Sequence, residues 1–212
     1  MKLKVSQRKQ SKKAYKLFRI VHMLAPPYRV FIDDSCLEMC ASLQVNDPRE
    51  CLSSLLSTLG YRGSITLCTH KLVLDKLRND KKLDALKIGQ KLLYVTVKRP
   101  HAGQSDAQMK IEDVCTAWVL SNEHAHSDRK NCIVATNSET VVKALQAFPH
   151  VPTIHMNHKS KCFVFDEFKK KMGETEKKQP AVQGRKKRAH GVNPLSNMPK
   201  RKKLSLQESY GK

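Results

Sequence analysis

Four short apolar runs, spaced by segments of helical periodicity, constrain this chain more than any other feature. They are residues 28–32 (Tyr-Arg-Val-Phe-Ile), 64–68 (Ser-Ile-Thr-Leu-Cys), 92–97 (Leu-Leu-Tyr-Val-Thr-Val) and 132–135 (Cys-Ile-Val-Ala). Their β-branched and aromatic content marks strands. Each is a nearly continuous apolar run, which suits burial on both faces. Such strands alternating with helices predict the α/β class: a central, mostly parallel sheet between two helical layers. Residues 151–156 and 162–165 are the remaining strand candidates.

Start and stop signals place the helices. Asp33, Asp34 and Ser35 can cap a helix over 36–43, and Asp47-Pro48 opens one over 49–59 that Gly60 stops. Thr69 caps a helix containing Leu72, Val73, Leu74 and Leu77; residues 80–90 form another. After a loop over 98–106, Ser105 or Asp106 opens a helix with Met109, Val114, Trp118 and Val119 on its apolar side. Asn137 caps a helix over 138–147. In residues 1–24, Tyr15, Leu17, Phe18, Val21 and Leu24 recur at helical spacing, which predicts a helix lying on the body or on RNA, ended by Pro26-Pro27.

Charge divides the chain in three. Net charge is +21, but residues 33–168 carry 17 basic and 16 acidic groups. Residues 1–32 carry nine Lys/Arg and no acid, and residues 169–212 carry 14 basic groups against three acids. The organisation expected is a basic N-terminal segment (1–27), an α/β domain (28–168) and a disordered polybasic tail (169–212). Cationic ends attract polyanions, and nucleic acid is the favoured partner because neutralising phosphates releases counterions. The candidate phosphate contacts are Arg8, Lys9, Lys12, Lys13, Lys16 and Arg19, then Arg185, Lys186, Lys187 and Arg188, then Lys200, Arg201, Lys202 and Lys203. The last two clusters also read as nuclear-import signals. Aromatic residues make up only 6% of the chain, which disfavours extensive base stacking. No apolar run reaches the roughly 20 residues of a membrane-spanning helix, so no membrane partner is expected. The N-terminal stretch lacks the apolar centre of a secretory signal. Seven scattered cysteines suggest reduced, mostly buried thiols.

Four stretches together resemble one family. They are the basic segment running into Pro27-Tyr28-Arg-Val-Phe-Ile-Asp33; Thr66-Leu-Cys-Thr69 entering a helix; Ile133-Val-Ala-Thr136 with Val151-Pro-Thr-Ile-His155; and Asn193-Pro-Leu-Ser196 beside Lys200-Arg-Lys-Lys203. The body resembles a PIN domain, the nuclease-like α/β fold. More narrowly, the chain is similar to the U-three-protein twenty-three family of ribosome-assembly factors. That resemblance implies a nucleolar factor of the small-subunit processome, acting in rRNA processing. Its implied partners are the small-subunit pre-rRNA, an H/ACA small nucleolar RNA, and processome proteins docked through the C-terminal tail.

A PIN nuclease needs several carboxylates at the ends of its strands to hold Mg²⁺ or Mn²⁺. Against the nuclease sister family, Asp33 and Asp113 are the remnant acids, Leu72 and Val114 replace two others, and Ser138 and Thr140 stand where aspartates are expected, with Glu139 nearby. The expectation is therefore no catalytic residue and no catalytic metal. The family's zinc ligands map onto Cys68, Arg99, His101 and Cys115, so one ligand is missing; His70 is a candidate replacement for a structural Zn²⁺. If zinc is lost, Lys98 and Arg99 become further phosphate contacts. Two other readings stand beside the RNA-binding factor: a Mn²⁺-dependent endonuclease using Asp33 and Asp113, and a nuclear adaptor whose tails serve only import.

Overall fold

The structure is a computed structural model and describes residues 5–61, 63–97, 109–125 and 130–166. The chain parts into two units, Met1–Lys169 and Lys170–Lys212, and all described residues belong to the first. The predicted tail with both its basic clusters, the loop carrying Lys98, Arg99 and His101, and the predicted helix start at Ser105 or Asp106 lie outside the described residues.

The fold is α/β, as the alternation of runs predicts. Strands β1 (Leu24–Ile32), β2 (Ile65–Thr69), β3 (Leu93–Tyr94), β4 (Lys130–Ala135), β5 (Thr153–Asn157) and β6 (Cys162–Phe165) form one sheet of order β3-β2-β1-β4-β5-β6. Every pairing is parallel except β5 with β6. The helices are α1 (Val5–Val21), α2 (Asp34–Ser42), α3 (Pro48–Thr58), α4 (Lys71–Asn79), α5 (Leu83–Gly89), α6 (Ile111–Ala125) and α7 (Glu139–Ala144).

The central strand is β1, flanked by β2 on one side and β4 on the other. Successive side chains of a strand point to opposite faces. Tyr28 therefore faces α1, where its hydroxyl lies 2.8 Å from that of Tyr15, while Phe31 stacks on Trp118 of α6 with centroids 5.3 Å apart. The Arg29 guanidinium donates to the Asn122 amide oxygen, also on α6. So α1 covers one face of the sheet and α6 the other. Tyr28, Val30, Phe31 and Ile32 are fully buried, which is why this run reads as continuous apolar sequence.

Several boundaries differ from expectation, each for a local reason. The first strand begins at Leu24, not at residue 28, and carries Pro26-Pro27 within it; prolines offer no ladder N–H, and the register with β4 shifts between Leu24 and Arg29. Thr69 does not cap α4. It stays in β2 and its hydroxyl donates to the Ile32 carbonyl (3.0 Å), so the cap falls to His70, whose Nδ1 accepts from Leu72 N. Asn137 is not the cap of α7 either. Its side-chain amide binds both the N–H and the C=O of Met156 (3.1 and 2.9 Å), extending the pairing of β4 and β5, and Ser138 takes the N-cap position. The run 92–97 yields only a two-residue strand, because it lies at the sheet edge and β2 ends at Thr69, the partner of Tyr94. The helix expected over 80–90 is α5, and that over 138–147 is α7 followed by a 3₁₀ turn, Leu145–Ala147. The caps at Asp33 and Asp47 are as predicted, and Gly60 ends α3 with φ +87°.

The basic N-terminal segment is a helix docked on the body, in the same unit as the sheet. Ser11, Ala14, Tyr15 and Phe18 are its buried positions, and the Ser11 hydroxyl accepts from Phe165 N of β6 (3.3 Å). Val21, expected on the apolar side, is 59% exposed, and Leu24 belongs to β1. Phe18→Ala is therefore expected to cost about 3 kcal/mol in urea unfolding. Val21→Ala is expected to stay within about 0.5 kcal/mol.

Candidate functional site: the switch-point cleft and the basic helix

The strand order reverses direction between β1 and β4, and α/β sheets bind ligands at the carboxyl ends of strands flanking such a point. Asp33 follows β1 and Thr136 follows β4. Asp33 is completely buried. Its Oδ1 accepts the Cys36 N–H (2.8 Å) as the N-cap of α2, and its Oδ2 accepts the Thr136 hydroxyl (2.5 Å). The Ser35 hydroxyl lies 2.9 and 2.8 Å from the two carboxylate oxygens and shares its proton between them. Ser35 Oγ in turn accepts from Asn137 N (2.9 Å), and Thr136 Oγ1 accepts from Ser138 N (3.0 Å). One small network thus ties the end of β1 to the end of β4. Burial pushes the Asp33 carboxyl up to about 7, with Asp34 adding to the rise, against the pull of the Thr136, Cys36 and Ser35 donors.

Beside this network lies a cleft of about 950 Å³, lined by the first residues of α2, α6 and α7 and by one face of α4. Asp34, Asp75, Asp80 and Glu112 bring four carboxylates to it, and Lys76 and Lys110 two ammonium groups. Asp34 is nearly buried and is bridged by the Lys76 ammonium. Burial pulls the Lys76 pKa down, but the Asp34 carboxylate outweighs it and the net direction is upward. The Thr140 hydroxyl holds the Glu112 carboxyl below its usual range.

The remnant acids are thus divided. Asp33 is at the expected place. Asp113 is exposed and does not line the cleft; the acid that α6 presents there is Glu112, one residue earlier. Leu72 does line the cleft, as do Ser138 and Thr140, whose hydroxyls bond each other (2.8 Å). The Glu139 side chain is 92% exposed and faces Lys143. Sequence reasoning missed Ser35, Lys76, Glu112 and Thr136. The spacing Leu72–Lys76, one helical turn, was the available signal for Lys76.

Among the described residues, no three His, Cys, Asp or Glu side chains gather into a metal-binding group. The donors at the switch point do not suit a divalent ion: Asp33 is saturated by hydroxyl and amide donors, and Asp34 is held by an ammonium. For zinc, Cys68 and Cys115 are both buried thiols. Burial pushes Cys68 up to about 12 and raises Cys115 well above the ordinary thiol value, with nearby carboxylates adding to the rise at Cys115. His70 commits its Nδ1 to capping α4, and His101 lies outside the described residues. Of the zinc ligands implied by the resemblance, Cys68 and Cys115 therefore lie among the described residues, with His70 at the start of α4.

The cationic candidates on α1 are presented together. Arg8, Lys9, Lys12, Lys13, Lys16 and Arg19 are all exposed, and the helix contains no acid. At 1.5 Å per residue, Arg8 to Arg19 spans about 16 Å. Arg19 also lies over the Tyr15 ring, 5.8 Å from its centroid.

No family model matches the chain, and no curated protein matches it. Among solved structures it is similar to one described as the structure of the PIN domain endonuclease Utp24. The identity is 20% and the TM-score 0.47, over 68% of this chain and 94% of that one.

The raised Asp33 pKa fixes the sign of a pH effect. The folded state holds this proton up to about pH 7, whereas the unfolded carboxyl releases it near the ordinary aspartate value of 3.8. The stabilisation is fully present below the lower value and is lost as pH rises through the higher one. Unfolding free energy should fall by about 1.4 kcal/mol between pH 6 and 8 from this group alone. Asp33→Asn should flatten that part of the profile in urea titrations; an unchanged slope would refute the assignment.

Proposed function

We propose that this chain is an RNA-binding factor of small-ribosomal-subunit assembly that does not itself cut RNA, built on a PIN-like scaffold and working in the nucleolus. The observation that carries the reading is the row of six cations on α1, displayed outward by a helix whose other side is packed into the core. Because the helix is already docked, its cations meet a phosphate backbone without first being ordered, which lowers the cost of binding. The cleft is a poor place for RNA by comparison, since four carboxylates face two ammonium groups there. It is also a poor two-metal site, since its buried acids are engaged by hydroxyls and by Lys76.

The basic tail clusters, Arg185 to Arg188 and Lys200 to Lys203, supply a second grip, and two linked weak contacts raise the effective affinity. The resemblance of the residues names the RNAs: small-subunit pre-rRNA and an H/ACA small nucleolar RNA, with processome proteins docking on the tail. Sequencing of RNA crosslinked to the protein in cells tests this choice, and recovery of messenger RNA alone would remove it. Purified protein is expected to leave labelled pre-rRNA intact in Mn²⁺. Hydrolysis abolished by Asp33→Asn would establish the endonuclease reading instead.

The α1 row makes a quantitative prediction. Each neutralised phosphate contributes a slope of about −0.7 to −0.9 to log K against log[salt]. The triple substitution Lys12→Ala, Lys13→Ala, Lys16→Ala should therefore reduce the slope by about 2 to 3 in fluorescence-anisotropy titrations. An unchanged slope would move the RNA site off α1.

A further inference from the structure

The crevice between the ends of β1 and β4 is where a divalent ion would be expected from the resemblance, and its donor set does not suit one. We propose that the Lys76 ammonium is the cleft's built-in cation, balancing Asp34 in place of a divalent ion and keeping Mg²⁺ and Mn²⁺ out of the crevice. The inference rests on the reading of a factor that does not cut, and adds how the crevice dispenses with a metal.

Three observations carry it. First, the Asp34 side chain is only 8% exposed, and a carboxylate so buried requires a charged or hydrogen-bonding partner. Its partner comes from α4, 42 positions away in sequence, rather than from its own helix. Second, Lys76 stands one turn beyond Leu72 on the face of α4 that lines the cleft, and the acid on that face, Asp75, is paired with Arg78 (3.0 Å). Lys76 also feels Asp80 and Glu38, so it sits in a field of three carboxylates. An ammonium is a compact point charge with three donors, suited to such a field. Third, the neighbouring acid is closed off independently. The Ser35 and Thr136 hydroxyls and the Cys36 N–H occupy lone-pair directions on both Asp33 oxygens, leaving the ion no ready bidentate carboxylate.

The protonated amine and a divalent ion therefore compete for one place. Removing the amine leaves Asp34 with its charge unbalanced beside Asp75, Asp80 and Glu112, and the crevice becomes able to take a cation from solution.

The test is a Mn²⁺ titration of the full chain, read by paramagnetic broadening of backbone amide signals and by the free-Mn²⁺ electron-spin signal. The natural protein should show no saturable site at the Asp33 and Cys36 amides up to about 1 mM, the weak end of ordinary site affinities. Lys76→Ala, and independently Lys76→Met, should bind Mn²⁺ at those amides at least about tenfold more tightly. The double variant Lys76→Ala, Asp34→Asn should lose that gain. Saturable Mn²⁺ binding by the natural protein at these amides overturns the proposal, and this measurement stands even if the variants fail to fold. Folded Lys76 variants without any gain overturn it as well. Mn²⁺ binding by the natural protein with intact RNA removes only this inference; Mn²⁺-dependent RNA cleavage removes the reading beneath it.

Discussion

The carboxylate of Asp33 is the point on which the architecture closes. Strand β1 is central in the sheet and covered on both faces, and Asp33 at its carboxyl end is completely buried. A buried carboxylate is costly unless its lone pairs are engaged. Here they are engaged by three groups from two places in the chain: the first turn of α2, through Ser35 and the Cys36 N–H, and the end of β4, through Thr136. The same hydroxyls accept from the backbone at Asn137 and Ser138. The network therefore fixes how the chain leaves β4 as well as how it leaves β1, and the two departures define the walls of the cleft. Loss of any one donor leaves others unpaired, the ordinary behaviour of a fully satisfied buried network.

From that point charge is distributed by position in the fold. Acids concentrate at the crevice, where helix N-termini favour them: Asp34 and Glu112 both lie in first turns. Cations concentrate on the outer side of α1, which covers the Tyr28 face, whereas α6 covers the Phe31 face and sends its first turn to the crevice. A polyanion approaching the molecule thus meets opposite fields on the two sides. Acids and bases of residues 33–168 nearly cancel in number, so the unbalanced cations come from α1, while the body's own acids gather at the crevice. Net charge alone conveys neither.

The strands, their parallel pairing and the caps at Asp33 and Asp47 were legible because each rests on local chemistry: continuous apolar runs, or an Asp directly before a helix. What was not legible depends on partners distant in sequence. Thr69 and Asn137 look like caps, and lose that role because Ile32 and Met156 claim their side chains across the sheet. Which of Glu112 and Asp113 turns toward the cleft is decided only by how α6 docks, and it is Glu112. Val21 has the spacing of the apolar side but lies at the end of α1 and is exposed. Ser35 reads only as a cap candidate, Thr136 only as the end of a strand, and Lys76 carries no motif at all. Their role exists only once β1, β4 and α4 meet.

That last point explains why a surviving Asp at the end of a strand is weak ground for assigning a nuclease. An acid there does two jobs in an α/β sheet: it caps the helix that follows, and it offers a ligand. The first needs one oxygen and a backbone N–H, and Asp33 performs it whatever else surrounds it. The second needs free lone pairs and several acids without internal countercharges. In this chain hydroxyls hold the free lone pairs and a lysine holds the adjacent acid. The structural job alone is enough to account for an Asp at this position. What folding leaves unexplained is α1, where six exposed cations have no acid on their own helix to balance them.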